Sequence, residues 1–282
     1  MQNFPGIPSI FLGLASAISW GAGDFTGGLI TKRVNVFIVA IISQAFGMLL
    51  VLALAILFRE PMPLAMDLFY AAVAGISGAS GLVIFYRGLA FGRMAIVAPA
   101  AAVVTASIPV IFAAQIEGLP GIHQFVGFVL ALLAIWLISS TGSGERINIK
   151  DLGPPIAAGL GFGLFFILID RVSTGTVYWA LVAARCASLF FLISIAVIFG
   201  QAGRPSIDQI PIIALVGVLD VGGNVFYLLA AQAGRLDVAA VLASLYPAMT
   251  VFLARTILKE QLSFQQWLGL LVTLLAVILI TL

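Results

Sequence analysis

QFVGFVLALLAIWLIS at residues 124–139 and QWLGLLVTLLAVILIT at residues 266–281 decide the fold. Neither stretch holds a charged residue, and each approaches the roughly 20 apolar residues with which a helix crosses hydrocarbon. Aligned on Gln124 and Gln266, the residues Gly127, Leu132, Leu133, Ala134, Leu137 and Ile138 recur as Gly269, Leu274, Leu275, Ala276, Leu279 and Ile280. Leucine-rich helices resemble one another by composition alone, so the test lies further out. Glu117 falls opposite Glu260, Phe85-Tyr86 opposite Phe226-Tyr227, and Gly13 and Asp24 opposite Gly159 and Asp170. Polar matches at matching distances from the helix ends point to one unit used twice.

The surroundings agree. The chain is 62% hydrophobic and 9% charged, where a soluble domain is about one quarter charged. So few charges cannot cover a water-facing surface, and lipid is the solvent for most of the exterior. A net charge of +2 with scattered Lys and Arg gives no basic face for nucleic acid. Cys186 is the single cysteine, which leaves no internal disulfide and no Cys/His cluster for a metal, and nothing calls for a cofactor. Despite Ala15-Ser16-Ala17, no Lys or Arg precedes the first apolar run, which is therefore read as a retained helix rather than a secretory signal.

Charges, Gly/Pro clusters and polar breaks divide the chain into expected helices at 8–30, 35–58, 67–87, 94–115, 122–141, 153–173, 177–199, 209–232, 237–257 and 263–282. This is an all-α polytopic membrane protein of ten transmembrane helices in two repeats, 1–145 and 146–282. Five spans is an odd number, so the second repeat enters the membrane from the opposite side and the repeats are inverted. Such pairs place a binding site near the midplane between them and support alternating access. One set of short loops carries Lys32, Arg33, Arg87, Arg93, Arg146, Lys150, Arg204, Arg255 and Lys259; the other carries Arg59, Arg171 and Arg235. The richer side is expected to be cytoplasmic, which puts both termini of this multi-pass cell (inner) membrane protein on the non-cytoplasmic side.

An ionisable group inside hydrocarbon is costly and is a functional candidate by default. Asp220 lies mid-span and shares a stripe with Gly223, Asn224 and Tyr227, a polar face suited to line a cavity. The competing reading is an ion pair between Asp220 and Arg185 that merely locks two helices. Asp24 follows Trp20-Gly21-Ala22-Gly23 and is either a ligand or proton site or an interfacial carboxylate paired with Lys32 or Arg33. Two acids against one arginine leave one acid without a counter-charge, which makes a proton the candidate coupling ion. Trp20, Tyr86, Tyr227 and Tyr246 could stack on a substrate, with Trp20 and Tyr227 favoured. Pro99, Pro109 and Pro247 are expected to kink or interrupt their helices and free carbonyls as hinge or binding points.

In the order and spacing of these segments the chain resembles the EamA-type family of the drug/metabolite transporter superfamily over nearly its whole length. The resemblance is carried by Trp20-Gly21 with Asp24-Phe25, Phe85-Tyr86-Arg87-Gly88-Leu89-Ala90 leading to Ala95-Ile96-Val97-Ala98-Pro99, Phe226-Tyr227 with Ala230-Ala231, Leu242 to Pro247, and Lys259-Glu260-Gln261-Leu262-Ser263 before Gly269. The first half departs from the pattern at Glu117-Gly118-Leu119-Pro120. The resemblance implies a non-enzymatic secondary transporter, commonly an exporter of amino acids or other metabolites. A few aromatics, uncharged polar groups and one buried arginine suit a small amphipathic substrate better than a polyanion.

Two rivals come from other classes. Gly78-Ala79-Ser80-Gly81 looks like the serine motif of an intramembrane protease, but its base would have to be His123, the single histidine, which sits in a connection. A non-transporting receptor keeps the same repeats. The glycine-rich faces serve equally a monomer or a homodimer.

Overall fold

The computed structural model describes residues 7–91, 94–116, 118–139, 153–201, 203–257, 259 and 263–281. Among these residues no strand occurs. Hydrocarbon offers no partner to a free N–H or C=O, so apolar runs close their hydrogen bonds within themselves as helices. They are α1 (Ile7–Thr31), α2 (Val36–Leu57), α3 (Ala65–Phe91), α4 (Met94–Ile116), α5 (Ile122–Ser139), α6 (Gly153–Asp170), α7 (Tyr178–Ile198), α8 (Ile210–Ala233), α9 (Leu236–Ala243), α10 (Tyr246–Ile257) and α11 (Phe264–Thr281). Large apolar side chains such as Leu57, Phe190 and Val197 stand outward, more than two-thirds exposed, as a lipid-facing surface requires.

The packing has two-fold logic. α1 lies chiefly against α8, α9 and α10, while α6, its counterpart, lies against α3 and α4. Each repeat thus inserts its first helix among the third and fourth spans of the other. α2 packs on α7, and α5 pairs with α11. The expected boundary near residue 145 lies outside the described residues.

Lipid supplies no hydrophobic drive between helices, so close approach and interhelical hydrogen bonds must hold them. A side chain at Gly75 would run into the Ala184 carbonyl of α7, and one at Gly21 into the first turn of α10. Three buried serines of α1 donate to carbonyls of α8: Ser9 to Ala230 at 2.8 Å, Ser16 to Gly223 at 2.8 Å and Ser19 to Leu219 at 2.7 Å. Ser77 of α3 does the same to Gly161 of α6 at 2.8 Å.

The ninth span departs from the continuous helix expected over 237–257. It stops at Ala243 and restarts at Tyr246. Leu245 N–H bonds back only three residues, to Leu242 O at 3.2 Å. Pro247, in the first turn of α10, has no N–H to give Ala243, so the ladder cannot run through it. By contrast α4 runs as one helix through Pro99 and Pro109, so of the expected kink or interruption the interruption does not occur there.

Candidate functional site

The two inserted helices bring acidic and aromatic residues of both repeats to one cavity of about 130 Å³, against the roughly 10–15 Å³ that a single water needs. Trp20 and Asp24 of α1, Gln44 of α2 and Thr105 of α4 come from the first repeat; Phe166 of α6, Arg185 and Ser188 of α7, Asp220 and Asn224 of α8 and Tyr246 of α10 come from the second.

Its polar wall is a chain of bonds centred on Arg185. The buried guanidinium pairs with Asp220 at 2.5 Å through Nη2 and donates through Nη1 to Gln44 Oε1. Asn224 Nδ2 donates to Asp220 O at 2.6 Å and reaches its carboxylate at 3.4 Å. Asp220 keeps 37% of its side-chain surface open while Arg185 keeps 7%, so of the two lining partners the carboxylate is the more accessible. The pairing anticipated from sequence is present, and it joins α7 to α8 as well as lining the cavity. Removing one partner of such a pair leaves an uncompensated charge and costs about 3–5 kcal/mol.

Asp24 stands apart from that chain. Among the described residues no hydrogen bond or ion pair ties its carboxylate, and it lines the cavity rather than pairing with Lys32 or Arg33. Asp220 and the hydroxyl of Tyr246 lie within its electrostatic reach.

Another part of the lining is aromatic. Trp20 stacks on Phe166 with centroids 5.5 Å apart, and Phe166 stacks on Tyr227 at 4.2 Å. Gly223 makes room for the indole, since a Cβ there would lie 2.6 Å from Trp20 Cγ. Tyr227 itself is fully buried, bonds through its hydroxyl to Phe166 O at 3.3 Å, and stands behind Trp20, outside the lining. Tyr86 and Pro99 lie within α3 and α4, and their side chains are outside the description. Pro247 is buried in the first turn of α10, just after the break. Ser80 donates to Ile76 O of its own helix at 2.7 Å, the usual resting place of a helical serine, while His123 begins α5.

Gln44, Thr105, Ser188 and the phenylalanines of α6 were not singled out from sequence. Gln44 carried a signal, as the amide in an otherwise apolar run over 36–57, but a search for ionisable groups passes over it.

The sequence profile of the EamA-like transporter family matches residues 7–140 and 155–282. The chain belongs to the EamA-like transporter family. The two matched stretches are the two repeats, so this family member is a multi-pass protein of the drug/metabolite transporter type. A sequence search of curated proteins finds no match. A solved crystal structure, described only as that of a protein, has a TM-score of 0.78 at 14% identity, covering 96% of this chain and 95% of that one. At that identity the likeness concerns the fold alone.

Proposed function

We propose that this family member is a secondary transporter, working as an exporter, that carries a small amphipathic metabolite by alternating access. Amino acids are the class the sequence suggests. The observation that carries the reading is the composition of the cavity: α1 to α4 and α6, α7, α8 and α10 all contribute, so any rocking of one repeat on the other reshapes the void. The protein sits in the cell (inner) membrane with the Lys- and Arg-rich loops in the cytoplasm and both termini outside, which labelling of a terminal tag on intact cells tests. Asp24, whose carboxylate has no hydrogen bond or ion pair among the described residues, is the residue to carry a coupling proton.

Flux into liposomes holding the purified protein, with a panel of radiolabelled amino acids and related metabolites and with or without a pH gradient, tests the reading. Saturable flux of one class, reduced at least ten-fold in Asp220→Asn, supports it; flux that is saturable but indifferent to Asp24→Asn and to the gradient removes the proton. Absence of saturable flux for every solute under either gradient counts against transport. No feature of the site favours the protease reading, because the Ser80 hydroxyl is already engaged within its helix.

A further inference from the structure

The break in the ninth span leaves more oxygens unmet than a kink requires. Ala106-Ser107-Ile108-Pro109 of α4 and Ala243-Ser244-Leu245-Tyr246-Pro247 hold matching places in the two repeats, the second one residue longer. In α4 the helix runs on, and Ser107 Oγ donates to Val103 O at 2.7 Å. In the second repeat the longer stretch falls at the break, and the buried Ser244 Oγ has no hydrogen-bond partner among the described residues. The carbonyls beside it lose their regular donors as well. Leu245 N–H turns to Leu242 O and leaves Val241 O, Pro247 has no N–H for Ala243 O, and Ala248 N–H turns to Leu245 O and leaves Ser244 O. Val241, Ala243 and Ser244 are at most 1% exposed, and a buried oxygen without a partner is costly. One residue further on the deficit ends, because Thr250 Oγ1 reaches Tyr246 O at 3.3 Å.

Three carbonyls and a hydroxyl within a few residues are an oxygen set, the kind that a hard cation takes. α9 has 8 residues before the break, about 12 Å at the helical rise, which sets these oxygens well inside a hydrocarbon core of about 30 Å. The C-terminal end of α9 adds partial negative charge there, and unwound carbonyls at such half-helix ends are ligands for Na⁺. No Asp or Glu occurs between Asp237 and Glu260, so a divalent cation, which draws on carboxylates, is poorly served. We propose that the break is a Na⁺ site, with Ser244 Oγ and the carbonyls of Val241, Ala243 and Ser244 as its ligands, and that the ion ties α9 to α10. The site stands apart from the central cavity, whose lining includes Tyr246 but none of these three residues. It leaves the coupling proton on Asp24, and it holds or fails independently of transport.

Equilibrium binding of radiolabelled Na⁺ to the protein in lipid nanodiscs, with empty nanodiscs subtracted and N-methylglucamine holding the ionic strength constant, tests this. The expected result is saturable binding, displaced by unlabelled Na⁺ and not by N-methylglucamine, with thermal unfolding at a higher temperature in Na⁺. Ser244→Ala should weaken binding about ten-fold or more, the loss of one contact to a charge. Pro247→Ala, which returns an N–H to Ala243 O, should weaken it too, whereas Ser107→Ala in α4 should leave it unchanged. Thermal unfolding in N-methylglucamine shows that each variant is folded. Absence of saturable Na⁺ binding, the result that a buried water at the break would give, overturns the inference, as does unchanged binding in a folded Ser244→Ala. Binding lost in Asp24→Asn and kept in Ser244→Ala also overturns it, by putting the ion in the central cavity. Because the readout is ion occupancy and not flux, a protein that carries a solute but binds no Na⁺ loses only this inference.

Discussion

Residues 58–60 and 199–201 adopt one turn at opposite faces of the bundle, where α2 and α7 end. Phe58, Arg59 and Glu60 donate their N–H groups to Leu54, Ile56 and Ala55; Phe199, Gly200 and Gln201 donate theirs to Ile195, Val197 and Ala196. The middle residue is left-handed in both, with φ of 51° at Arg59 and 60° at Gly200. The third side chains then part company. Glu60 reaches across to the other repeat and accepts from the first N–H groups of α7: Val177 at 2.6 Å, Tyr178 at 3.1 Å and Trp179 at 2.8 Å. Its own carbonyl accepts from the Trp179 indole at 3.0 Å. Gln201 accepts one bond from across, from the Asn35 side chain at 3.2 Å, and donates to Phe199 O of its own turn at 3.4 Å. The repeat has kept the backbone, and one side chain has broken the symmetry. A carboxylate on a helix N-terminus meets both unsatisfied donors and the positive end of the dipole, whereas a neutral amide pair at a wet surface contributes little. The Glu60 face has further stitches between loops, Asp67 to Ser173 Oγ at 3.0 Å and Arg235 to Gly118 O at 3.0 Å. On the proposed transport cycle, these are the contacts that would hold this face shut.

Glu60→Ala should break the comparison most. It removes three charge-assisted bonds, each of the class with a net contribution of about 1.5–3 kcal/mol, though water recovers part of that at the surface. With Ser188→Cys as a reporter inside the cavity and Cys186→Ser to remove the background thiol, labelling by an impermeant reagent from the Glu60 face should speed up at least ten-fold. Glu60→Gln keeps one acceptor oxygen without the charge and should fall between. Unchanged labelling in Glu60→Ala would separate the clasp from closure of that face.

How much of this could be read from the letters depends on what lipid penalises. Ten spans were legible because a polar backbone has no alternative in hydrocarbon, and Asp24, Arg185 and Asp220 because a charge there is too costly to be accidental. Gln44, Thr105 and Ser188 were not, since a neutral polar group in a span is commonly satisfied by its own helix, as Thr105 is by Ala101 O at 2.8 Å. Tyr227 and Trp20 looked alike on paper; only packing put the tyrosine behind the indole. The break of the ninth span was obscured in the same way, because the prolines at 99 and 109 lie in an unbroken α4 while Pro247 begins a new helix. Glu60 was the least legible of all. A loop carboxylate carries no mark in sequence that it will cross to a helix end 117 residues away.

Gly200→Ala tests the part of the comparison that the turns share. Its φ of 60° suits glycine, and a Cβ there would meet no neighbour within 4 Å, so the cost is conformational alone, about 1 kcal/mol. Thermal unfolding in detergent should register that loss without any change in labelling of Ser188→Cys. A larger loss would mean that this turn supports contacts as the Glu60 turn does.

Gln201→Glu sharpens the difference instead, by giving the second turn the side chain of the first. The new carboxylate would sit beside Asn35, which caps α2 by accepting from Phe37 N–H at 2.9 Å, and would add negative charge at that N-terminus. An acid so placed stabilises by about 0.3–1 kcal/mol at low ionic strength, less than Glu60 contributes because Asn35 already fills one of the donor sites. Labelling of Ser188→Cys from the face bearing Gln201 should slow by roughly two- to five-fold at low ionic strength, the factor that such an energy gives, and return toward the parent rate in 1 M salt, where charges more than about 3 Å apart are screened. Slowing that persisted in high salt would point to packing at residue 201, and no slowing would mean that the asymmetry of the two faces lies in Trp179 and the Asp67 stitch rather than in the charge of Glu60.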